Sequence, residues 1–194
     1  MINTNGARVI LASKSPRRKQ LLSGIIPDFE IITRETDETL PEGMHPSVGV
    51  GALAERKGAA VAALDLTDAI VISSDTLVEL DGEPLGKPED EDDALRMLLS
   101  LSGKTHNVHT GVCIHYKGRS YVGVDTAHVT FREIGRDEAL SYIATGEPMD
   151  KAGSYAIQGG AAKFVSLFEG DYNAIVGLGL ELTERLINEA LSND

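Results

Sequence analysis

Apolar positions along this chain recur with a period of two in some stretches and near 3.6 in others, and the switches mark its elements. ARVILAS (Ala7 to Ser13) is a short apolar run ended by polar punctuation, the signature of a buried strand. SPRRKQLLSG reads as a helix: Ser15 suits the N-cap, Pro16 the first helical position and Gly24 the stop. DFEIIT (Asp28 to Thr33) reads as a second strand, followed by the polar loop RETDETLPEGMHP. From Pro46 a long helix is expected, with Val50, Leu53, Val61 and Leu64 on its apolar stripe. The position missing from the middle of that stripe is Lys57, four residues from Leu53 and four from Val61.

The next apolar strand, Ala69 to Ser73, runs into Ser74, Asp75 and Thr76. LVELDGEPL then reads as a hairpin around Asp81-Gly82. After a turn at Lys87-Pro88 comes a helix with an acidic first turn, Glu89 to Asp93, closed by Gly103. THNVHTGVCIHY and SYVGVDTAHVTFREI alternate as an antiparallel pair turning at KGR. RDEALSYIATGEP predicts a short helix ended by Gly146 and Pro148. The glycine-rich stretch after it reads as loop, strand, loop, and the terminal helix carries Leu182, Leu186, Ile187 and Ala190 on one face. There is no internal repeat, low-complexity tract or linker, so residues 1–194 are expected to form a single domain. Early alternation of helices and strands with a late hairpin predicts an α/β fold with a mixed sheet.

Composition narrows the function. With 42% apolar residues, the chain can bury a core. It has no apolar run long enough to span a membrane and no secretory leader, and its one cysteine, Cys113, excludes an internal disulfide; a cytoplasmic protein is the simplest reading. The net charge of −12 repels nucleic acid at long range. A chain of that sign that binds a small anion must concentrate its 18 basic residues locally.

Arg17 and Arg18 sit in a first helical turn, the positive end of the helix dipole, against the usual preference. Either they are solvated surface arginines, or they clamp phosphate oxygens at a helix N-terminus. Lys57 either snorkels to solvent or faces a polyphosphate cleft. Asp75, at the expected strand end, is either a turn aspartate or a carboxylate that holds a divalent cation or takes a proton from water. Lys87 is either a phosphate contact or a turn lysine. His109, Cys113 and His115 share a strand face, but three residues of one strand make a poor zinc site, and Cys113 reads as a small buried hydrophobe.

In order and spacing, LASKSPRRKQLL, SSDTLVELDGEPLGKPED, LSGKTHNVHTGV and KAGSYAIQGGAAKFVSLFEGDYNAIVGL resemble the Maf family of nucleoside triphosphate pyrophosphatases, from about Val9 to the terminal helix. The resemblance implies a mixed sheet flanked by helices, two lobes around a deep cleft, related to the inosine triphosphate pyrophosphatases. It implies cleavage of a nucleoside triphosphate between its α and β phosphates with Mg²⁺ or Mn²⁺, and a homodimer. The family's site residues fall on Ser13, Arg17, Arg18, Glu38, Lys57, Asp75, Thr76, Lys87 and Gln158. Asp75 matches the proton acceptor, and Glu38 with Asp75 would hold the metal. Arg17, Thr76 and Gln158 match the branch acting on dTTP and UTP. The alternatives are the sister branch acting on 7-methyl-GTP and a non-catalytic nucleotide-binding regulator of cell division. Lys14 and Gly179 depart from the family pattern.

Overall fold

The computed structural model describes residues 1–64, 66 and 68–193. In chain order its elements are β1 (Arg8–Leu11), α1 (Pro16–Ser23), β2 (Glu30–Ile31), α2 (Pro46–Ala62), β3 (Ala69–Leu80), β4 (Glu83–Leu85), α3 (Glu91–Leu101), β5 (Thr105–Tyr116), β6 (Arg119–Phe131), α4 (Arg136–Ile143), β7 (Val165–Glu169), α5 (Tyr172–Val176) and α6 (Leu180–Ser192). Short 3-10 turns at Glu147–Asp150, Ala152–Ser154 and Gly160–Phe164 connect α4 to β7. Among the described residues the strands form one seven-stranded mixed sheet, ordered β2-β1-β3-β5-β6-β7, with β4 also paired to β3.

The pairing of β3 makes the cleft. On one edge, β1 lies parallel to Ala69–Ile72 and β4 antiparallel to Val78–Leu80. Between them, residues 73–77 have no strand beside them among the described residues. The opposite edge is paired without interruption, from Val71↔His115 to Glu79↔Asn107 of β5. That pairing is why β3 does not end at Ser73 as its polarity predicts: β5 supplies backbone partners past the apolar run. Asp75 is thus mid-strand rather than at a strand end, and with Thr76 it stands in the open gap.

The gap also divides the interior. Ile70 and Ile72 of β3 pack with Leu22 of α1, Ile114 of β5 and Leu186 of α6. Val78 and Leu80 join a second core with Leu98 of α3, Phe131 of β6 and Tyr142 of α4. The two cores meet β3 at its two ends and form the two lobes.

Local chemistry accounts for the elements. Asp90 caps α3 by accepting from the Asp93 amide at 2.8 Å, with Glu91, Asp92 and Asp93 in its first turn. Ser15 caps α1 and Pro16 begins it, yet that first turn holds no acidic residue. The hairpin turns form at Asp81-Gly82 (φ 54° and 88°) and Lys117-Gly118 (φ 48° and 75°), the left-handed pairs that two-residue hairpins require. α2 crosses the sheet closely because β5 has Gly111 opposite Asp75; a Cβ there would lie 2.5 Å from the Val50 carbonyl oxygen. α6 buries Leu182, Leu186, Ile187 and Ala190, as its stripe predicts.

Several boundaries differ from expectation. β2 is only two residues long because it pairs at the sheet edge with Ile10 and Leu11 alone. Leu64 falls beyond the end of α2 and is 37% exposed, so it leaves the apolar stripe. Gly24 ends α1 with an ordinary right-handed φ of −70°, so no left-handed stop is needed there. In the glycine-rich segment β7 is present, but the flanks are 3-10 turns and α5 rather than loops. No helix among the described residues is long and apolar enough to cross a membrane.

Candidate active site

The gap in β3 opens into a cavity of about 650 Å³ between the lobes. Among the described residues, seven of the chain's 18 basic residues line it, against four of its 30 acidic ones. A chain with a net charge of −12 has therefore gathered positive charge in one concavity. All nine residues singled out from the sequence line this cavity: Ser13, Arg17, Arg18, Glu38, Lys57, Asp75, Thr76, Lys87 and Gln158.

Lys57 leans from α2 into the cleft. Its ammonium donates to Asp75 Oδ1 at 2.9 Å and pairs with Glu38 Oε1 at 2.9 Å. It does not snorkel: its side chain is only 18% exposed and its partner Asp75 14%. Two carboxylates thus converge on one point. The Lys57 hydrogen bond, aided at longer range by Lys87 and Arg18 and opposed by partial burial, holds Glu38 below the usual carboxylate range. A carboxyl with a depressed folded-state pKa adds stability above its unfolded value and loses it as pH falls through the folded one. The Glu38–Lys57 contribution is therefore expected to fade below about pH 4.3. Thermal melts of wild type and Glu38→Gln at pH 7 and pH 3 check this: the gap between the two proteins narrows on acidification. An unchanged gap would show that the pair adds nothing.

Arg18 is more than a charge facing the cleft. Its Nε donates to the Gly177 carbonyl at 2.8 Å, one Nη to Ser13 Oγ at 3.4 Å and the other to Thr76 Oγ1 at 3.2 Å. Burial lowers its pKa from the ordinary arginine value, with Asp75 pulling the other way. Ser74 also donates to the Gly177 carbonyl, at 2.9 Å, and Thr76 Oγ1 lies 3.1 Å from Thr110 Oγ1. Arg18 therefore joins α1, β3 and the α5–α6 turn, a bracing role that spacing alone did not reveal. Ser13 Oγ accepts from the Ser15 amide at 3.2 Å and from Arg18, which leaves its hydroxyl proton for a ligand oxygen.

Arg17, half-buried beside Arg18, acts with Lys151 to keep Asp150 below the usual carboxylate range, Lys151 being the larger cause. Lys87 sits exposed at the turn before α3, and Gln158 exposed at the apex of its own turn.

The sequence reading missed two parts of the cavity. One is Lys151, whose ammonium bonds the Glu147 carbonyl at 3.0 Å and the Asp150 carboxylate. A lysine in a polar loop carries no pattern that would single it out. The other is an apolar end formed by Val78, Val108, Tyr155, Ile157, Ile175 and Val176. In sequence these are indistinguishable from core residues.

Comparison with known proteins places this arrangement. The family model described as "Maf-like protein" matches residues 8–190. The chain belongs to the Maf family. Among relatives of this Maf protein, the dTTP/UTP pyrophosphatase of Bacillus velezensis is 46% identical over 182 residues, covering 94% of this chain and 96% of the relative. The dTTP/UTP pyrophosphatase of Moorella thermoacetica is 46% identical over 183 residues, 93% of this chain and 94% of the relative. Among solved structures, the Ham1 protein of Staphylococcus aureus aligns with 94% of this Maf chain and 98% of its own, with TM-score 0.55 and 15% identity. At that identity the likeness establishes the fold alone.

Proposed function

We propose that this Maf protein hydrolyses dTTP and UTP to the nucleoside monophosphate and pyrophosphate. The observation that carries the reading is a single cavity of about 650 Å³ with a cationic end around Asp75 and an apolar end lined by Val78, Tyr155 and Ile175. Ser13, Arg17, Arg18, Lys57, Lys87 and Lys151 take the triphosphate, and Val78, Tyr155 and Ile175 take the base. The dTTP/UTP names of the near full-length relatives support the same substrate.

A divalent cation, Mg²⁺ or Mn²⁺, fits this donor set. Glu38 and Asp75 present carboxylate oxygens to a common point, now taken by the Lys57 ammonium. Among the described residues no group of three or more His, Cys, Asp or Glu could hold a metal. Glu38 and Asp75 would hold a cation that arrives with the triphosphate. Such a cation supplies Lewis acidity at the phosphoryl oxygens. The protein's residues do the rest. Asp75 orients the attacking water toward the α-phosphorus and takes its proton. Lys57 shifts its bonds from the two carboxylates to the phosphates as these arrive. Arg17, Arg18, Lys87 and Lys151 neutralise the charge that builds on the departing pyrophosphate.

The experiment is a panel of dTTP, UTP, CTP, dITP and 7-methyl-GTP with Mg²⁺ and with Mn²⁺, scored by pyrophosphate release. dTTP and UTP are expected to lead; activity confined to 7-methyl-GTP would contradict the reading. Lys57→Met is expected to raise KM for dTTP about tenfold and lower kcat, through the loss of one charge-assisted contact. Unchanged constants would return Lys57 to a purely structural role. The single-domain reading belongs to the same proposal: β3 contributes to both lobes, so melting of the whole chain is expected to be one cooperative step by calorimetry. The homodimer is proposed as well, supported by Leu167 and Phe168, 56% and 41% exposed on the edge strand β7. Sedimentation equilibrium checks it.

A further inference from the structure

Gln158 stands at the apex of a turn, Ala156 to Gly160, closed by the Gly159 amide donating to the Ala156 carbonyl at 3.0 Å. Ile157 is buried in the core beneath it, while Gln158 is exposed to the cleft. Both of its ends are held by side chains from the neighbouring segment. The Ala156 amide donates to the Tyr142 hydroxyl at 3.3 Å, and the Gly160 amide donates to Glu147 Oε2 at 2.9 Å. Burial raises the Tyr142 pKa and the nearby Glu147 carboxylate adds to it, so the two anchors are neighbours.

Glu147 is itself fixed. Its amide donates to Thr145 Oγ1 at 3.2 Å, and its carbonyl accepts from Lys151, a residue lining the cleft. Its carboxylate fills the space where residue 159 would carry a side chain: a Cβ at Gly159 would coincide with Glu147 Oε1. The backbone at Gly159 has φ −105°, which any residue can adopt. Glycine is required there to admit the carboxylate, not to make a bend. A side chain that accepts from the Gly160 amide and fills the space beside Gly159 is a clamp for that turn.

We propose that Glu147 is a positioning residue that holds the Gln158 turn against the base end of the cleft, and that it thereby sets how much binding energy the enzyme draws from the base. This rests on the dTTP/UTP reading. Glu147 does not touch the triphosphate end of the cleft, so its loss should spare what the phosphates contribute. Lys151 joins the two ends, bonding the Glu147 carbonyl while its ammonium lines the cleft.

The test compares kcat/KM for dTTP with that for its abasic analogue, 2-deoxyribose 5′-triphosphate. Glu147→Ala is expected to lower the dTTP-to-abasic ratio about tenfold, through KM for dTTP rather than kcat, as for the loss of one well-placed polar contact. Glu147→Gln, whose amide oxygen can still accept from Gly160, should recover most of the ratio. Gly159→Ala, which expels the carboxylate from its seat, should match Glu147→Ala, and the double variant should be no worse than either. A loss shared equally by dTTP and the abasic analogue would mean a merely structural role and overturn the proposal. So would an unchanged ratio in both Glu147→Ala and Gly159→Ala while Gln158→Ala collapses it. If Gln158→Ala also leaves the ratio unchanged, the failure lies in the base reading of that turn, and the clamp falls with it.

Discussion

Asp75→Asn is expected to lower kcat for dTTP about 10³-fold while leaving the fold intact, as for removal of a positioned general base. The two side chains have the same shape, and the amide can still face Lys57. Lys57 keeps Glu38 as an ionic partner at 2.9 Å, so no buried charge is stranded. What the amide cannot do is take a proton from water or contribute a carboxylate to a cation. KM for dTTP should change little, because the cationic residues are untouched. The measurement is steady-state pyrophosphate release at saturating dTTP, beside a melting curve. Near-normal turnover by a folded variant would remove Asp75 from the chemistry.

Arg18→Ala is expected to lower both stability and activity, which sets it apart from Asp75→Asn. It removes three hydrogen bonds, to Gly177, Ser13 and Thr76. Each acceptor keeps another contact: Ser74 for Gly177, the Ser15 amide for Ser13 and Thr110 for Thr76. The loss is therefore that of a brace rather than of orphaned polar groups, about 2 kcal/mol. For a chain of this length that corresponds to a fall in Tm of about 4–8 °C. Turnover should fall more steeply, about 10²-fold in kcat/KM, because the brace fixes Thr76 beside Asp75 and brings charge to the phosphates. Arg18→Lys keeps the charge but not the planar fork, so it should recover little of the Tm. Paired calorimetry and kinetics on the two variants decide it; a Tm within one degree of wild type for Arg18→Ala would refute the bracing role.

How far the sequence revealed the molecule can be seen from particular residues. The hairpins at Asp81-Gly82 and Lys117-Gly118 were legible because their turns demand positive φ and the chain supplies residues that adopt it. α3 and α6 were legible from caps and stripes. β3 was read too short, because a strand's extent depends on its partner, and β5 lies some thirty residues further on. The same non-locality hid the gap at residues 73–77, and with it the reason Asp75 and Thr76 face a cavity. Lys57 was the reverse case: one charge on an apolar stripe was a local anomaly that spacing left open between snorkelling and a cleft, and the fold turns it to the cleft. Lys151, Glu147 and the apolar end of the cavity broke no local rule, so nothing marked them before the fold brought them together.

The arginines that begin α1 now have a physical explanation. Arg18 spends its donors across three segments, and the cavity that both arginines line concentrates positive charge on a negative protein. Under the proposed triphosphate reading, the helix dipole they oppose is added to the same anion site rather than balanced within the helix.

The central claim is that water, activated at Asp75, attacks the α-phosphorus. Hydrolysis of dTTP in water enriched in ¹⁸O, with products separated and weighed by mass spectrometry, tests it most directly. Attack at the α-phosphorus places one ¹⁸O atom in the phosphate of dTMP and leaves pyrophosphate unlabelled. Label in the pyrophosphate, or release of orthophosphate with dTDP, would contradict it.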